Sequence, residues 1–413
     1  MKKLIAIAVV FALVAGAAFA VDVSGTVFGT VNVLETSIQE GTDYDTTAGG
    51  AMGRVRLDAS GEAGEGKFGG FIRLQFGNLP YYDYQDWYKW NPTNTAPGTN
   101  NKPHEANADF FLVNSVYAYW KPIDQFKLII GNWDDGIWGK EGVTGWMFNQ
   151  MPQSDNGIAT NPGIWYGGGW GSSIYGGSAK PLHSRYTFFE GFNEYGAALE
   201  IKPMDMLGIN IAIPFISRAG QEAKDVFKAV IAQVDLNLDF GNIAITFDGG
   251  GRAVTNFGDD GGIFAYFGGS FGDLALDIGL SYHFAEDADL AVPPLGFGVG
   301  LKYTSGSFGI KFKATAALGG DKSYKDFTFI NTSILPYFAV NENICVFVNA
   351  GLGIMDNGHD SYTGFFVNPY VRVGAEWGPS FYVGIRLETE GLYNADQDAK
   401  INFVVPVALT VSF

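Results

Sequence analysis

The chain ends on a run that alternates almost perfectly between two faces. Phe413, Val411, Leu409, Val407, Val405, Phe403 and Ile401 fall on one face of an extended segment, and Ser412, Thr410, Ala408, Pro406, Val404 and Asn402 on the other. A period of two excludes a helix, whose apolar stripe repeats at 3.6 residues. A strand with one wholly apolar face and one polar face separates an apolar medium from water. That is the requirement of a strand with lipid outside and an aqueous lumen inside.

The other end of the chain agrees. Lys2 and Lys3 precede a short apolar run, Leu4 to Ala15, and Ala18-Phe19-Ala20 forms an A-x-A site. This is the pattern of an export signal covering 1–20, with Val21 as the mature N-terminus. The apolar run is too short to span a bilayer, and no later stretch approaches the roughly 18 consecutive apolar residues a spanning helix needs. A membrane protein without spanning helices must close its sheet, because lipid cannot satisfy an open strand edge. The expected fold is therefore all-β, a transmembrane antiparallel up-and-down β-barrel over 21–413.

Composition fits. The 413 residues include 57 Gly, 34 Phe and 20 Tyr, with weak overall hydropathy, as expected of strands apolar on one face only. The formal charge is −17. Without Lys2 and Lys3 it becomes −19, from 24 basic and 43 acidic residues. Such a balance argues against nucleic acid as a partner, since nucleic-acid binding needs a basic footprint. Cys345 has no second cysteine to pair with, so no disulfide frames the fold.

Period-two segments recur along the chain. The first runs from about 22 to 34, with Val23, Val27, Val31 and Val33 on one face. The second, about 50–62, places Val55 and Leu57 outward and Arg54, Arg56 and Asp58 inward. After a tight turn at 63–66, the third places Phe68, Ile72, Leu74 and Phe76 outward and Arg73 and Gln75 inward. Two more cover about 110–121 and 126–134, and two about 193–202 and 207–216. Hairpins follow around 239–242, 270–273, 304–307, 340–343 and 378–380, and the last strand ends the chain. The total is about 18 strands, within a range of 16 to 20. Short and long connections alternate, which puts both termini at the end bearing the short turns, expected to be periplasmic. An internal repeat supports the phasing: Trp120-Lys121-Pro122-Ile123-Asp124-Gln125-Phe126 parallels Ile201-Lys202-Pro203-Met204-Asp205-Met206-Leu207, each copy joining two strands.

Inward charges are the candidate site. Arg54, Arg56, Arg73, Arg372 and Arg386 count to similar heights above their short turns, on strands that form one arc of wall. Asp235, Asp248 and Asp277 face inward on the opposite arc, at heights expected to be comparable. Opposed arcs of charge create a transverse field that sorts and orients solutes. The segment 135–191 is the longest connection and the third at its end. It carries Trp138, Glu141, Trp146, Asp155, Trp165, Tyr166 and Trp170, and its aromatic content argues against disorder. Packing at the membrane edge or stacking on sugar rings are the roles open to these rings.

No histidine pair has metal-ligand spacing: His104, His183 and His359 fall in expected loops and His283 in the lumen. No metal, cofactor or catalytic residue is expected, and no enzyme activity. Acidic loops such as 286–289 read as solvated charge.

Two stretches carry a family resemblance. The terminal alternation ending in Phe413 resembles the C-terminal signature of bacterial outer-membrane β-barrels, in which a terminal Phe marks the chain for the barrel-assembly machinery. Tyr117–Gly131 resembles the strand–turn–strand signature of bacterial porins. The resemblance implies residence in the outer membrane, passive diffusion of small hydrophilic solutes and ions, a third loop folded into the barrel, and a homotrimer in the lipid bilayer. A surface adhesin or structural outer-membrane protein, and a sugar-selective channel, are the competing expectations. An N-terminal plug is not expected, because the first strand begins beside the cleavage site.

Overall fold

A computed structural model describes residues 20–38, 46–47, 51–78, 109–133, 137–140, 142–144, 188–189, 191–192, 195–215, 229–250, 261–284, 295–319, 328–356, 358, 360–375, 379–389 and 401–412. These residues contain no α-helix and build one closed antiparallel barrel. Its strands are β1 (Ala20–Ile38), β2 (Ala51–Ala63), β3 (Phe68–Asn78), β4 (Asp109–Ile123), β5 (Phe126–Asn132) and β6 (Tyr195–Met204). Then come β7 (Leu207–Pro214), β8 (Ile231–Leu238), β9 (Gly241–Asp248), β10 (Gly262–Phe271), β11 (Leu274–His283) and β12 (Leu295–Ser305). The circuit ends with β13 (Phe308–Leu318), β14 (Thr328–Asn341), β15 (Ile344–Asp356), β16 (Ser361–Gly374), β17 (Ser380–Gly384 with Arg386–Thr389) and β18 (Ile401–Ser412). Each strand pairs with its sequence neighbours. β18 closes on β1, with Val27 opposite Val411 and Val31 opposite Val407. The two-residue stretch Thr46–Thr47 adds to the far end of β1. The expected count of 18 is the observed one, and closure removes every edge that lipid would leave unpaired.

The pleat sorts the side chains as the alternation requires. On β9, Ile243, Ile245 and Phe247 are 38%, 57% and 44% exposed, whereas the intervening Ala244, Thr246 and Asp248 are 1–3% exposed. The outward apolar residues would lie against hydrocarbon, where a polar side chain is costly. All short connections share one end with both termini: Ala20 pairs with Glu62 beside the 64–67 turn, and Ser412 pairs with Thr26. That turn holds Gly64, Glu65 and Gly66 at φ of 60°, 58° and 79°, a left-handed run that glycine makes accessible. In the first copy of the internal repeat, Asp124 accepts from Lys121 Nζ at 2.9 Å. That hydrogen bond holds the exposed carboxyl below its usual range.

The structure modifies several expectations. β1 is longer than the expected 22–34. Its alternation does not continue evenly through Val33, because the pairing with β18 steps between Asn32 and Leu34, a bulge that leaves Val33 outward and 56% exposed. β3 and β4 slip by one residue between Arg73 and Leu74. β17 is broken at Ile385, whose amide nevertheless donates to Pro369 O at 2.9 Å. Residues 1–19 and Phe413, on which the signal and the assembly mark were placed, lie outside the described residues.

Candidate functional site

The site is built where the long connection between β5 and β6 meets the wall opposite β1. Its first and last residues turn inward. Ile137 and Phe192 form an isolated antiparallel bridge, with backbone hydrogen bonds of 2.9 and 2.8 Å, and Lys140 N donates to Phe189 O at 2.7 Å. Trp133, Phe189 and Phe192 are buried with Ile129, Ala198, Ala212, Ile231 and Phe264, the inward residues of β5 to β8 and β10. Ring contacts fix the seating: Trp133 on Phe192 at 5.0 Å and Phe189 on Phe264 at 5.8 Å between centroids. Small inward residues, Ala198 and Ala212, make room for these rings on the wall.

Polar contacts then pin residues 137–140 and 142–144. Trp138 holds a positive φ of 65°, which turns its side chain so that Nε1 donates to Glu200 Oε1 at 3.0 Å. Its carbonyl accepts from Gln233 Nε2 at 3.1 Å. Lys140 Nζ pairs with Asp235 and reaches Asn242 Oδ1 at 3.2 Å, and Asn210 Nδ2 also donates to Asp235, at 2.8 Å. Thr144 donates from N (2.8 Å) and from Oγ1 to Asp277 Oδ2, while Tyr266 Oη donates to Asp277 Oδ1 at 2.6 Å. Asp277 is completely buried. Such a carboxylate requires these donors, since an uncompensated buried charge is strongly unfavourable. Gly300, beside Asp277 on β12, lets Thr144 sit flat on the wall: a Cβ there would lie 2.5 Å from Thr144 Oγ1.

The sequence-expected charges divide accordingly. Asp235 and Asp277 are the anchors of the connection. Asp248 is the last residue of β9, at the far end of the wall, and accepts from Gly250 N at 3.0 Å. The three acids share a side of the barrel but not a height. On the opposite arc, Arg73 forms a bidentate pair with Asp58, both bonds at 2.7 Å, and stands 5.6 Å from the Phe71 ring. Arg56 faces inward on the same arc. Arg386 is buried on β17, six positions from the strand start. Arg372 is two positions from the end of β16, opposite Tyr382 and over the Phe347 ring at 5.4 Å. It therefore lies nearer the short-turn rim than Arg386, against the expectation of equal height. Counting from the turn had placed the end of β16 several residues too late.

The side chain of Arg54 lies outside the described residues, as do Asp135, Glu141, Trp146, Asp155, Trp165, Tyr166 and Trp170. Residues not singled out from sequence include Lys140, Thr144, Glu200, Gln233 and Tyr266, which hold the connection. Lys302, Lys311 and Lys313 were also missed; they put positive charge on the lumen face of β12 and β13, next to the acidic wall. Inward parity would have found the lysines. The partners of the connection have no sequence signal, because they depend on where a loop lands. His283 contacts Ser281 Oγ at 3.1 Å, and among the described residues no group of three or more acids, histidines or cysteines could hold a metal.

No family model matches the chain, and no curated protein matches it. Solved structures do. The outer membrane protein OpdK of Pseudomonas aeruginosa superposes with a TM-score of 0.51 at 8% identity, over 95% of this chain and 99% of its own. OpdQ of the same organism gives 0.51 at 10% identity, over 95% and 98%. At such identity the likeness is one of fold: the chain shares the closed antiparallel β-barrel of these outer-membrane proteins.

Proposed function

We propose that this chain is an exported outer-membrane porin, passing small hydrophilic solutes and ions by passive diffusion. Residues 1–20 would be the cleaved leader and 21–413 the barrel, delivered to the assembly machinery through Phe413 and working without cofactor, metal or catalytic chemistry. The single observation that carries the reading is the inward connection. An 18-stranded barrel is wide enough for an aqueous channel, and this one spends buried, paired charges on holding the segment 137–144 inside its lumen. An adhesin has no use for such a ledge.

The constriction in this reading lies between the ledge on β6 to β11 and the arginine arc of β2, β3, β16 and β17. Arg54 and the remaining loop residues named from sequence, Glu141, Trp146, Asp155, Trp165 and Trp170, belong to it as a proposal. A homotrimer is proposed through the outer faces of β1, β2 and β18. The experiment is a planar-bilayer recording of purified, heat-modifiable protein. Open, ohmic channels are expected, and folded protein that never conducts would return the adhesin reading.

A further inference from the structure

We infer that the lumen carries a zwitterion-binding pocket beneath the inner end of the 137–144 ledge, fitted to a small α-amino acid. The proposal rests on the porin reading for access and goes beyond it in naming a solute and a place.

The pocket is a cavity of about 330 Å³ at the short-turn end of β10 to β12, lined by Val143, Ser270, Asp273, Ala275, Lys302 and Thr304 among others. That volume is at the small end of the range for ligand sites. Its roof is fixed: Val143 precedes Thr144, whose two hydrogen bonds to Asp277 seat the ledge directly above. Its wall carries one charge of each sign. Lys302 is opposite Ala275 on β11, and Thr304 N donates to Asp273 O at 3.0 Å, so Asp273 is the diagonal neighbour of Lys302 on the same face. Diagonal neighbours in an antiparallel pair are about 7–8 Å apart.

The two charges do not close on each other. Among the described residues neither the Lys302 ammonium nor the Asp273 carboxylate has a hydrogen-bond or ion-pair partner. Lys302 stands directly opposite Lys311 in the ladder with β13, so this part of the wall is cationic. A carboxylate on Lys302 answers its unpaired ammonium. An ammonium on the adjacent carbon then faces Asp273, and Ser270 offers a further hydroxyl. The substituent on that carbon meets the methyl of Ala275 and Val143, which favours a small aliphatic side chain. A simple anion satisfies Lys302 and leaves Asp273 unanswered; a simple cation does the reverse.

The test uses the whole folded protein and alanine as probe. Saturation-transfer NMR on detergent-folded protein measures binding irrespective of conduction, and bilayer recordings measure interruptions of the current by alanine added from the short-turn side. Acetate and ethylammonium at matched ionic strength are the single-charge controls. Alanine is expected to bind saturably and more tightly than either control. Lys302→Gln and Asp273→Asn should each weaken it about tenfold, the loss of one charge-assisted hydrogen bond. No saturable alanine signal, an unchanged affinity in both variants, or acetate binding as tightly as alanine would each overturn the pocket while leaving a conducting porin intact. Absence of channels in every preparation would instead overturn the porin reading, and the NMR titration would still decide the pocket.

Discussion

At the scale of single residues, the decisive feature is that the buried acids Asp235 and Asp277 are each answered by donors from the inward connection. Asp277 accepts three hydrogen bonds and has no freedom to move. Asp277→Ala takes away the acceptor of the Tyr266 hydroxyl and of both Thr144 donors, and an unsatisfied buried group costs about 1–3 kcal/mol. The expected outcome is a lower midpoint for heat-induced loss of the folded band in detergent; an unchanged midpoint would show these bonds to be dispensable. Gly300→Ala attacks the same contact from the other side, because the new methyl collides with Thr144 Oγ1. It should raise open-state current noise with the barrel intact, and recordings as quiet as wild type would show that the contact tolerates the methyl.

Arg73 and Asp58 make a second test. Because the pair is bidentate and largely shielded, Arg73→Gln removes a cation and uncovers an anion together. Reversal potential in a salt gradient should shift toward cations, and adding Asp58→Asn should reverse most of that shift. The effect should fade as salt rises and the Debye length falls from about 10 Å at 0.1 M to about 3 Å at 1 M. A single variant equal to wild type at low salt would remove Arg73 from the conduction path.

At the scale of elements, strands and connections were unequally legible in the sequence. Period-two alternation is a local signal set by lipid on one side and water on the other, so β11 could be read residue by residue, from outward Leu280 and Tyr282 to buried Asp277 and Ser281. Features that depend on the partner strand were not legible. The bulge at Val33 and the low position of Arg372 follow from register, which one strand does not encode. Lys140 and Asp235 are 95 residues apart in sequence, and nothing local marks either as the other's partner. The connection as an element has a testable stiffness. Lys140→Ala together with Thr144→Val removes the ion pair and the hydroxyl bond of the second anchor, leaving the amide of residue 144 on Asp277 and Trp138 on Glu200. The ledge should then sample positions across the lumen, giving larger open-state current fluctuations and a broader conductance distribution. Recordings as quiet as wild type would mean that the aromatic packing of Phe189 and Phe192 suffices to hold it.

At the scale of the whole molecule, the exterior is uneven in a way that bears on assembly. Much of the barrel presents large outward side chains, such as Phe240, Phe247, Phe271, Tyr282, Phe297, Tyr303 and Phe338, all at least 41% exposed. Across β1 and β2 the outward row is instead Val23 opposite Ala59, Gly25 opposite Leu57 and Val27 opposite Val55. Here no tyrosine or tryptophan anchors the strands at the membrane interfaces, and small side chains let a neighbouring membrane segment approach closely. β18 extends the patch with Val407 and Val411, the latter opposite Val27. An apolar wall of small side chains gains dispersion contact from a second barrel, and this is the face the proposed trimer would use. Ala59→Trp places a ring where the neighbour must fit, yet leaves the lumen face of β2 untouched. Native mass measurement in mild detergent should find trimers for the unaltered protein and monomers for the variant, with the conductance of each barrel preserved. Trimers in both would move the contact to another face, and monomers in both would end the proposal of a trimer.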